Sequence, residues 1–293
     1  MARASARRRV TRLTVGGEPT ARPDTLAGEE PLEIRLDGRP LAVTMRTPGA
    51  DMDLALGFLL GEGIVGTSAD VASMRYCVGT DGAGPTGALD AEGRPTYNVL
   101  DVALAPGVPP PDIDPTRNFF TSSSCGLCGK ASIDAVRLRS RFRIDDDPLR
   151  LGPEIVTGLP DAMRRAQRLF ATTGGLHAAA LADAAGRILA VREDVGRHNA
   201  VDKVIGWALR DGQVPLRGRV LMVSGRASFE LVQKALMAGL PMLAAVSAPS
   251  TLAVDLALEA GMTLAGFVRG QSMNVYAGDH RLLPPVPVPA PAG

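Results

Sequence analysis

The chain reads as an α/β protein whose second half is built on a sheet covered by helices. Three observations lead there. From Gly174 onward, short apolar runs alternate with stretches of about ten residues at helical spacing, the signature of βαβ units. The first half differs, with a hairpin signal, one amphipathic helix and scattered strand candidates. At 293 residues, 45% hydrophobic and 22% charged, the chain can bury the core of one large domain or two ordinary ones.

Residues 32–36 and 41–45 alternate around Asp37-Gly38, a strong hairpin turn. Residues 51–62 follow as a helix, with Leu54, Phe58 and Leu59 on one face and Gly63 past the end. Residues 74–78 and 97–104 are strand candidates separated by a Gly-rich stretch, and the proline-bearing 108–115 is a loop or linker. Residues 131–139 predict a helix, 145–148 a turn, and Pro153 opens a helix to about Leu169. Beyond it come strands at 178–181 and 187–192 around Gly186, then a helix at 199–209. Strands at 220–223, 242–246 and 263–268 enclose helices at 228–238 and 251–260.

This divides the chain into a smaller mixed α+β region over 29–116 and an α/β domain over 117–280, with no internal repeat. Arg3, Arg7, Arg8, Arg9 and Arg12 make residues 1–28 a basic arm, expected to be disordered, with a nucleic-acid- or partner-binding arm as the alternative. The proline-rich 281–293 is expected to be a disordered tail. A net charge of +1 does not point to nucleic acid. No apolar run reaches the ~18 to 20 residues of a membrane span, and the N-terminus lacks a signal-peptide core. Three cysteines do not make a disulfide framework, so a cytoplasmic protein is expected.

Two of those cysteines lie in Ser122-Ser123-Ser124-Cys125-Gly126-Leu127-Cys128-Gly129. A thiol in such a setting can ionise well below the free value of about 8.5, and the following helix would favour the thiolate. Three readings stand. Structural zinc needs four ligands, and beyond this pair only Cys77 and the three histidines remain. A thioredoxin-like dithiol would sit after an early strand, not in mid-chain. A sulfur relay needs an accessible thiolate, which the flanking Ser and Gly residues suit. Deaminase catalysis is excluded, because no His-X-Glu exists and Ser124 stands where a proline would precede the first cysteine.

Ligands of open α/β sheets bind beyond the carboxyl ends of strands. Three such exits are alike: residues 224–228 with Arg226, residues 247–251, and residues 269–272 with Arg269. Their glycines, hydroxyls and arginines suit an anionic, phosphorylated ligand, or else they are ordinary turns with solvated arginines. Neither a Walker A sequence nor Gly-X-Gly-X-X-Gly is present. The segments 193–199 and 172–177 are dense in groups for acid–base or binding work, or they are a helix start and a turn. His280 is expected to be inert and Cys77 a buried small hydrophobe.

Taken in order, five motifs resemble the FdhD-type formate dehydrogenase accessory sulfurtransferases over about residues 29–276. They are Ser124-Cys125-Gly126-Leu127-Cys128-Gly129, Thr173-Gly174-Gly175-Leu176-His177, residues 193–203 from Glu193 to Lys203, Ser224-Gly225-Arg226, and Phe267-Val268-Arg269-Gly270. The resemblance implies a cytidine-deaminase-like three-layer sandwich. It also implies a sulfur carrier that takes sulfur from a cysteine desulfurase and sulfurates a molybdenum (or tungsten) bis-molybdopterin guanine dinucleotide before that cofactor enters formate dehydrogenase. Cys125 would carry the persulfide, assisted by Cys128. Phe267, Val268, Arg269, Gly270, Gln271 and Ser272, with Arg226, would line the cofactor site. A homodimer is expected, as is a role without nucleic acid or membrane. The alternative is a non-catalytic chaperone that delivers the cofactor.

Overall fold

A computed structural model describes residues 4–77, 97–109 and 140–284, together with the backbone of Phe120 and Thr121. The expected helix at 131–139 and both cysteines of the motif lie outside the described residues. The chain forms two compact units that interleave in sequence. The first draws on Met1–Leu138, Gln167–Ala178 and Arg192–Gly212, and the second on Arg139–Ala166, Ala179–Val191 and Gln213–Gly293. The expected division into consecutive blocks near residue 117 is replaced by this weaving.

The first unit contains a five-stranded sheet in the order β5-β6-β3-β4-β7. Strands β3 (Glu30–Leu36) and β4 (Arg39–Arg46) make the hairpin read from Asp37-Gly38. Both turn residues have positive φ, 48° and 78°, as a type I′ turn requires. Strand β6 (Val99–Leu104) runs parallel to β3, and β5 (Val71–Tyr76) antiparallel to β6. The short β7 (Phe120–Thr121) lies parallel to β4 at Val43 and Thr44. Cys77 sits one residue past β5 and is partly exposed, not the buried residue expected.

Helix α1 (Asp51–Gly61) is fastened at its first turn by Arg46. This fully buried guanidinium reaches Asp51 through Nε at 3.1 Å and Nη2 at 3.0 Å, and Asn98 Oδ1 at 3.1 Å. The Tyr76 hydroxyl also donates to Asp51, at 3.1 Å, and burial together with that carboxylate pushes the phenol's ionisation far up. Helix α1 packs on α4 (Arg197–Arg210) with almost no gap. A Cβ on Gly57 would overlap the Asp202 carbonyl, and one on Gly206 the Asp53 carbonyl.

Residues expected to be disordered at the N-terminus form a hairpin. Strands β1 (Ser5–Arg12) and β2 (Thr20–Ala27) pair over eight residues, from Ser5 opposite Ala27 to Arg12 opposite Thr20. The ladder satisfies main-chain groups that a disordered segment would leave to water.

The second unit is organised by a six-stranded sheet in the order β13-β12-β11-β10-β8-β9. Strands β10 (Arg219–Val223), β11 (Met242–Ala245) and β12 (Thr263–Arg269) are parallel. They are joined by α5 (Phe229–Met237) and α6 (Thr251–Glu259). Strand β8 (His177–Asp183) pairs antiparallel with β10, and β9 (Ile188–Asp194) forms the edge beyond it. Antiparallel β13 (Ser272–Ala277), half-exposed on the other edge, has no counterpart in the sequence reading. The sheet is therefore mixed, parallel only at its centre.

The helix expected from Pro153 to about Leu169 is two helices, α2 (Pro153–Ala166) and α3 (Arg168–Thr173). The break at Gln167 has ψ 88°, and the Glu193 carboxylate accepts from Leu169 N at 3.0 Å and Phe170 N at 2.7 Å, which starts α3 anew. At the other terminus Arg281 is fully buried, not part of a loose tail. It donates to Gly261 O at 2.7 Å, to Thr263 Oγ1 at 3.3 Å and to Ile144 O. Residues 285–293 lie outside the described residues.

The α1–α4 contact sets a quantitative expectation. Gly57→Ala must push the helices apart and should cost about 3 kcal/mol or more in urea unfolding. Gly158→Ala, in an exposed position of α2 with open space around it, should instead add about 0.5–1 kcal/mol.

Candidate functional site

The three parallel strands of the second unit release their chains on the same edge, and hydrogen bonds lace the exits into one surface. Ser247 is the hub: its N–H donates to Gly225 O at 3.4 Å, and its carbonyl accepts from Phe267 N at 3.2 Å. Ala227 N donates to Ala248 O at 3.2 Å, and Ser250 N to Ala227 O at 3.0 Å. Helices α5 and α6 start from this surface, with Ser228 and Ser250 as their N-cap residues. The Ser250 hydroxyl accepts from Ala253 N at 3.3 Å. Exposed Arg226 projects from the first exit.

The third exit is a bulged hairpin tip. Register slips between Gly266, opposite Asn274, and Arg269, opposite Ser272, and Phe267 in the bulge has φ 51°. A left-handed backbone is costly for a bulky aromatic, about 1–3 kcal/mol, and persists where surroundings hold it. Gly266 makes this possible, since a Cβ there would crowd Pro249, Tyr276 and the Ser247 carbonyl at 3.0–3.1 Å. The Arg269 guanidinium lies 5.8 Å from the centre of the Phe267 ring, presenting a cation beside an aromatic face.

The sequence-derived residues therefore divide. Arg226, Phe267, Arg269, Gly270, Gln271 and Ser272 are partly or fully exposed, and Ser247 ties their two loops together. The Val268 side chain is fully buried, so its contact with a ligand can run only through its main chain. Cys125 and Cys128 lie outside the described residues.

In the first unit the motif from Glu193 to Lys203 turns out to be largely scaffolding. Adjacent strand residues point to opposite faces. Glu193 starts α3 on one side, while Asp194, fully buried, accepts four hydrogen bonds. They come from Thr47 N at 3.0 Å, Gly196 N at 2.8 Å, Asn199 Nδ2 at 3.0 Å and Lys203 Nζ at 2.7 Å. Lys203 also donates to Thr47 O at 2.7 Å. Asn199 continues the network to Met45 O at 2.7 Å and Thr44 Oγ1 at 3.2 Å. Thr44 in turn pairs with Thr121 of β7, four residues before Cys125.

With Glu193 and Asp194 engaged, the acid–base reading of residues 193–199 narrows to Arg197 and His198. Arg197 and His198 open α4, and partly buried His177 begins β8 within reach of their charges. Burial first, then Arg197 and His198, hold the His177 imidazole below its ordinary value. This grouping was hidden in the sequence, where twenty residues separate His177 from Arg197.

Fold and strand-exit surface together define an α/β protein that gathers exposed arginines and hydroxyls at the carboxyl ends of its parallel strands. The model of the FdhD/NarQ family matches residues 27–283. The chain belongs to the FdhD/NarQ family. Among its relatives, "Sulfur carrier protein FdhD" of Streptomyces avermitilis is 59% identical over 283 residues, 96% of this chain and 97% of that protein. The protein of the same name from Mycobacterium tuberculosis is 58% identical over 282 residues, 96% of this chain and all of the relative. A crystal structure from Desulfotalea psychrophila, described as a candidate formate dehydrogenase accessory protein, superposes with a TM-score of 0.72. It covers 96% of this chain and 100% of its own, at 21% identity, a likeness of fold.

Removing one partner of the buried pair should be severe: Lys203→Met should lower unfolding stability by about 3–5 kcal/mol. Adding Asp194→Leu should not restore it, because Thr47 N and Gly196 N would then be buried without acceptors. His177 carries a pH signature. Its folded value lies below the unfolded one, so its contribution to stability is complete above about pH 6.5 and is lost as pH falls through the folded value. Imidazole NMR should show His177 titrating below pH 6.5, with Arg197→Gln moving its midpoint upward.

Proposed function

We propose that this chain is a sulfur carrier that accepts sulfur from a cysteine desulfurase on Cys125 and delivers it to a bis-molybdopterin guanine dinucleotide bound to molybdenum or tungsten. That cofactor is its substrate and is destined for formate dehydrogenase. The observation that carries the reading is the strand-exit surface, where Ser247 joins the Arg226 loop to the bulged loop of Phe267 and Arg269. It offers forked cations, hydroxyls and helix starts to phosphate oxygens, and an aromatic face to a base. The names of the relatives supply the sulfur-carrying role.

The chemistry balances on two thiols. A Cys125 thiolate attacks the outer sulfur of the desulfurase persulfide, gains a persulfide and releases the desulfurase thiol. Attack by the Cys128 thiolate on the inner sulfur then expels sulfide and leaves a Cys125–Cys128 disulfide. Two electrons pass from the thiols to the transferred sulfur, and a cellular dithiol restores the pair. The sulfide replaces an oxygen ligand of the metal, which leaves as water. A deaminase-like sandwich is part of this proposal: the mixed sheet with α5 and α6 between its parallel strands agrees with that architecture.

Incubation with a desulfurase and cysteine should add about 32 Da, one sulfur atom, to the native chain. The same treatment of Cys125→Ala should leave the mass unchanged and abolish formate dehydrogenase maturation; a persistent adduct would remove Cys125 from the role. Arg269→Ala should weaken guanosine diphosphate binding by roughly tenfold, the loss of one charge-assisted contact. Unchanged titration curves would exclude that residue.

A further inference from the structure

Helix α4 begins against the usual electrostatic rule. The positive end of a helix dipole favours carboxylates in the first turn and disfavours cations. Here the first turn has no acidic residue, and Arg197 and His198 stand in it instead. The N-cap residue is Gly196, which has no side chain to satisfy the orphan amides of the helix start. A local preference broken without a gain in stability marks a place kept for another purpose.

Arg197 also stands apart from the other arginines with sealed atoms. Among the described residues Arg192, Arg197 and Arg281 each bury an Nε that has no acceptor. Arg192 still pairs with Asp53 at 3.1 Å and lies over the Trp207 ring. Arg281 reaches the carbonyls of Gly261 and Ile144. Arg197 has no hydrogen bond or ion pair among the described residues. A buried donor without an acceptor is costly, so this one points to a group supplied from outside the chain.

The surroundings define what that group can be. Asp194, the carboxylate that precedes the turn, is already balanced by Lys203 at 2.7 Å. His177 lies within reach of Arg197 and His198 and is held below its ordinary value, so at neutral pH it is an uncharged imidazole. A guanidinium that no described carboxylate balances, beside a neutral imidazole, suits a small monoanion better than a phosphate group carrying nearly two charges. The course of the chain indicates which monoanion. Strand β7 pairs with β4 at Thr44, whose hydroxyl donates to Asn199 Oδ1 at 3.2 Å, in the first turn of α4. The strand that leads to Cys125, four residues on in sequence, is therefore tied to this helix start.

We propose that Arg197 and His177, with the first-turn amides of α4, bind the transferred sulfur as a small monoanion, hydrosulfide. The inference rests on the sulfur-carrier reading and adds to it a holding site for sulfide expelled from Cys125. Holding the ion makes and breaks no covalent bond. Arg197 balances its charge, and the imidazole and amides offer N–H groups to the sulfur.

Imidazole NMR on the full-length variant C125S/C128S tests this, since hydrosulfide cannot then attach covalently at the motif. At about pH 8, above the ordinary imidazole range, anaerobic sodium hydrosulfide should shift the His177 resonance saturably. Inorganic phosphate should bind at least tenfold more weakly. Adding R197Q should weaken hydrosulfide binding at least tenfold with the urea midpoint retained, and R197K, which keeps the charge, should weaken it less. A His177 resonance unmoved by hydrosulfide overturns the proposal. So does binding unaffected by R197Q, or phosphate that binds as tightly as hydrosulfide. Loading separates this from the parent reading. A native chain that gains no adduct of about 32 Da removes the sulfur carrier itself, whereas a normal adduct without hydrosulfide binding removes only this site.

Discussion

A carboxylate sealed from water, Asp194, holds together the part of the first unit that follows the sheet. Taking a charge out of water is expensive unless its partners are well placed. Here Lys203 supplies the countercharge while Thr47 N, Gly196 N and Asn199 supply hydrogen bonds. The cluster fixes the end of β4, the end of β9 and the first turns of α4 in one arrangement. Because α4 carries Gly206 against α1, the close helix contact depends on the same charge. Arg197 and His198 emerge from that fixed turn, so their positions are inherited from it.

In the second unit, the same economy is achieved with main-chain bonds. Ser247 uses its amide and carbonyl to hold two loops, leaving their arginines, hydroxyls and the Phe267 ring facing outward. Loops held this way keep their side chains exposed. The left-handed Phe267 is the point of strain, and it sits in the bulge that the parallel strand needs to turn into β13. The first unit thus carries Arg197 and His198 at the start of α4, and the second exposes arginines and hydroxyls at its strand exits.

Much of this was legible from local pattern. The Asp37-Gly38 turn announces its backbone conformation, and the alternation after Gly174 places β10, α5, β11, α6 and β12 within a residue or two. What stayed hidden was set at a distance. Glu193, in a later strand, decides where α2 ends and α3 begins. Arg281 is buried because carbonyls from Ile144 and Gly261 await it, and composition alone made it part of a tail. The arm is rich in arginine and reads as disordered, yet its strands are in register over eight residues. In the site, contiguity of motif made Val268 equal to its neighbours, although strand alternation turns it into the core. The segment 193–199 reads as groups for acid–base or binding work or as a helix start, and the same alternation sends Glu193 and Asp194 to separate structural tasks.

The central claim is that sulfur moves from a cysteine of this chain to a phosphate-bearing cofactor held by the strand-exit loops. Single-turnover transfer tests it most directly. The chain is loaded with radiosulfur by a desulfurase, freed of donor, and mixed with the guanine dinucleotide form of the molybdenum cofactor. The account predicts that label leaves the protein and elutes with the cofactor, one sulfur per carrier, and that excess guanosine diphosphate slows this by competing at the loops. Label that stays on the protein, or that leaves equally fast without the cofactor, would contradict it.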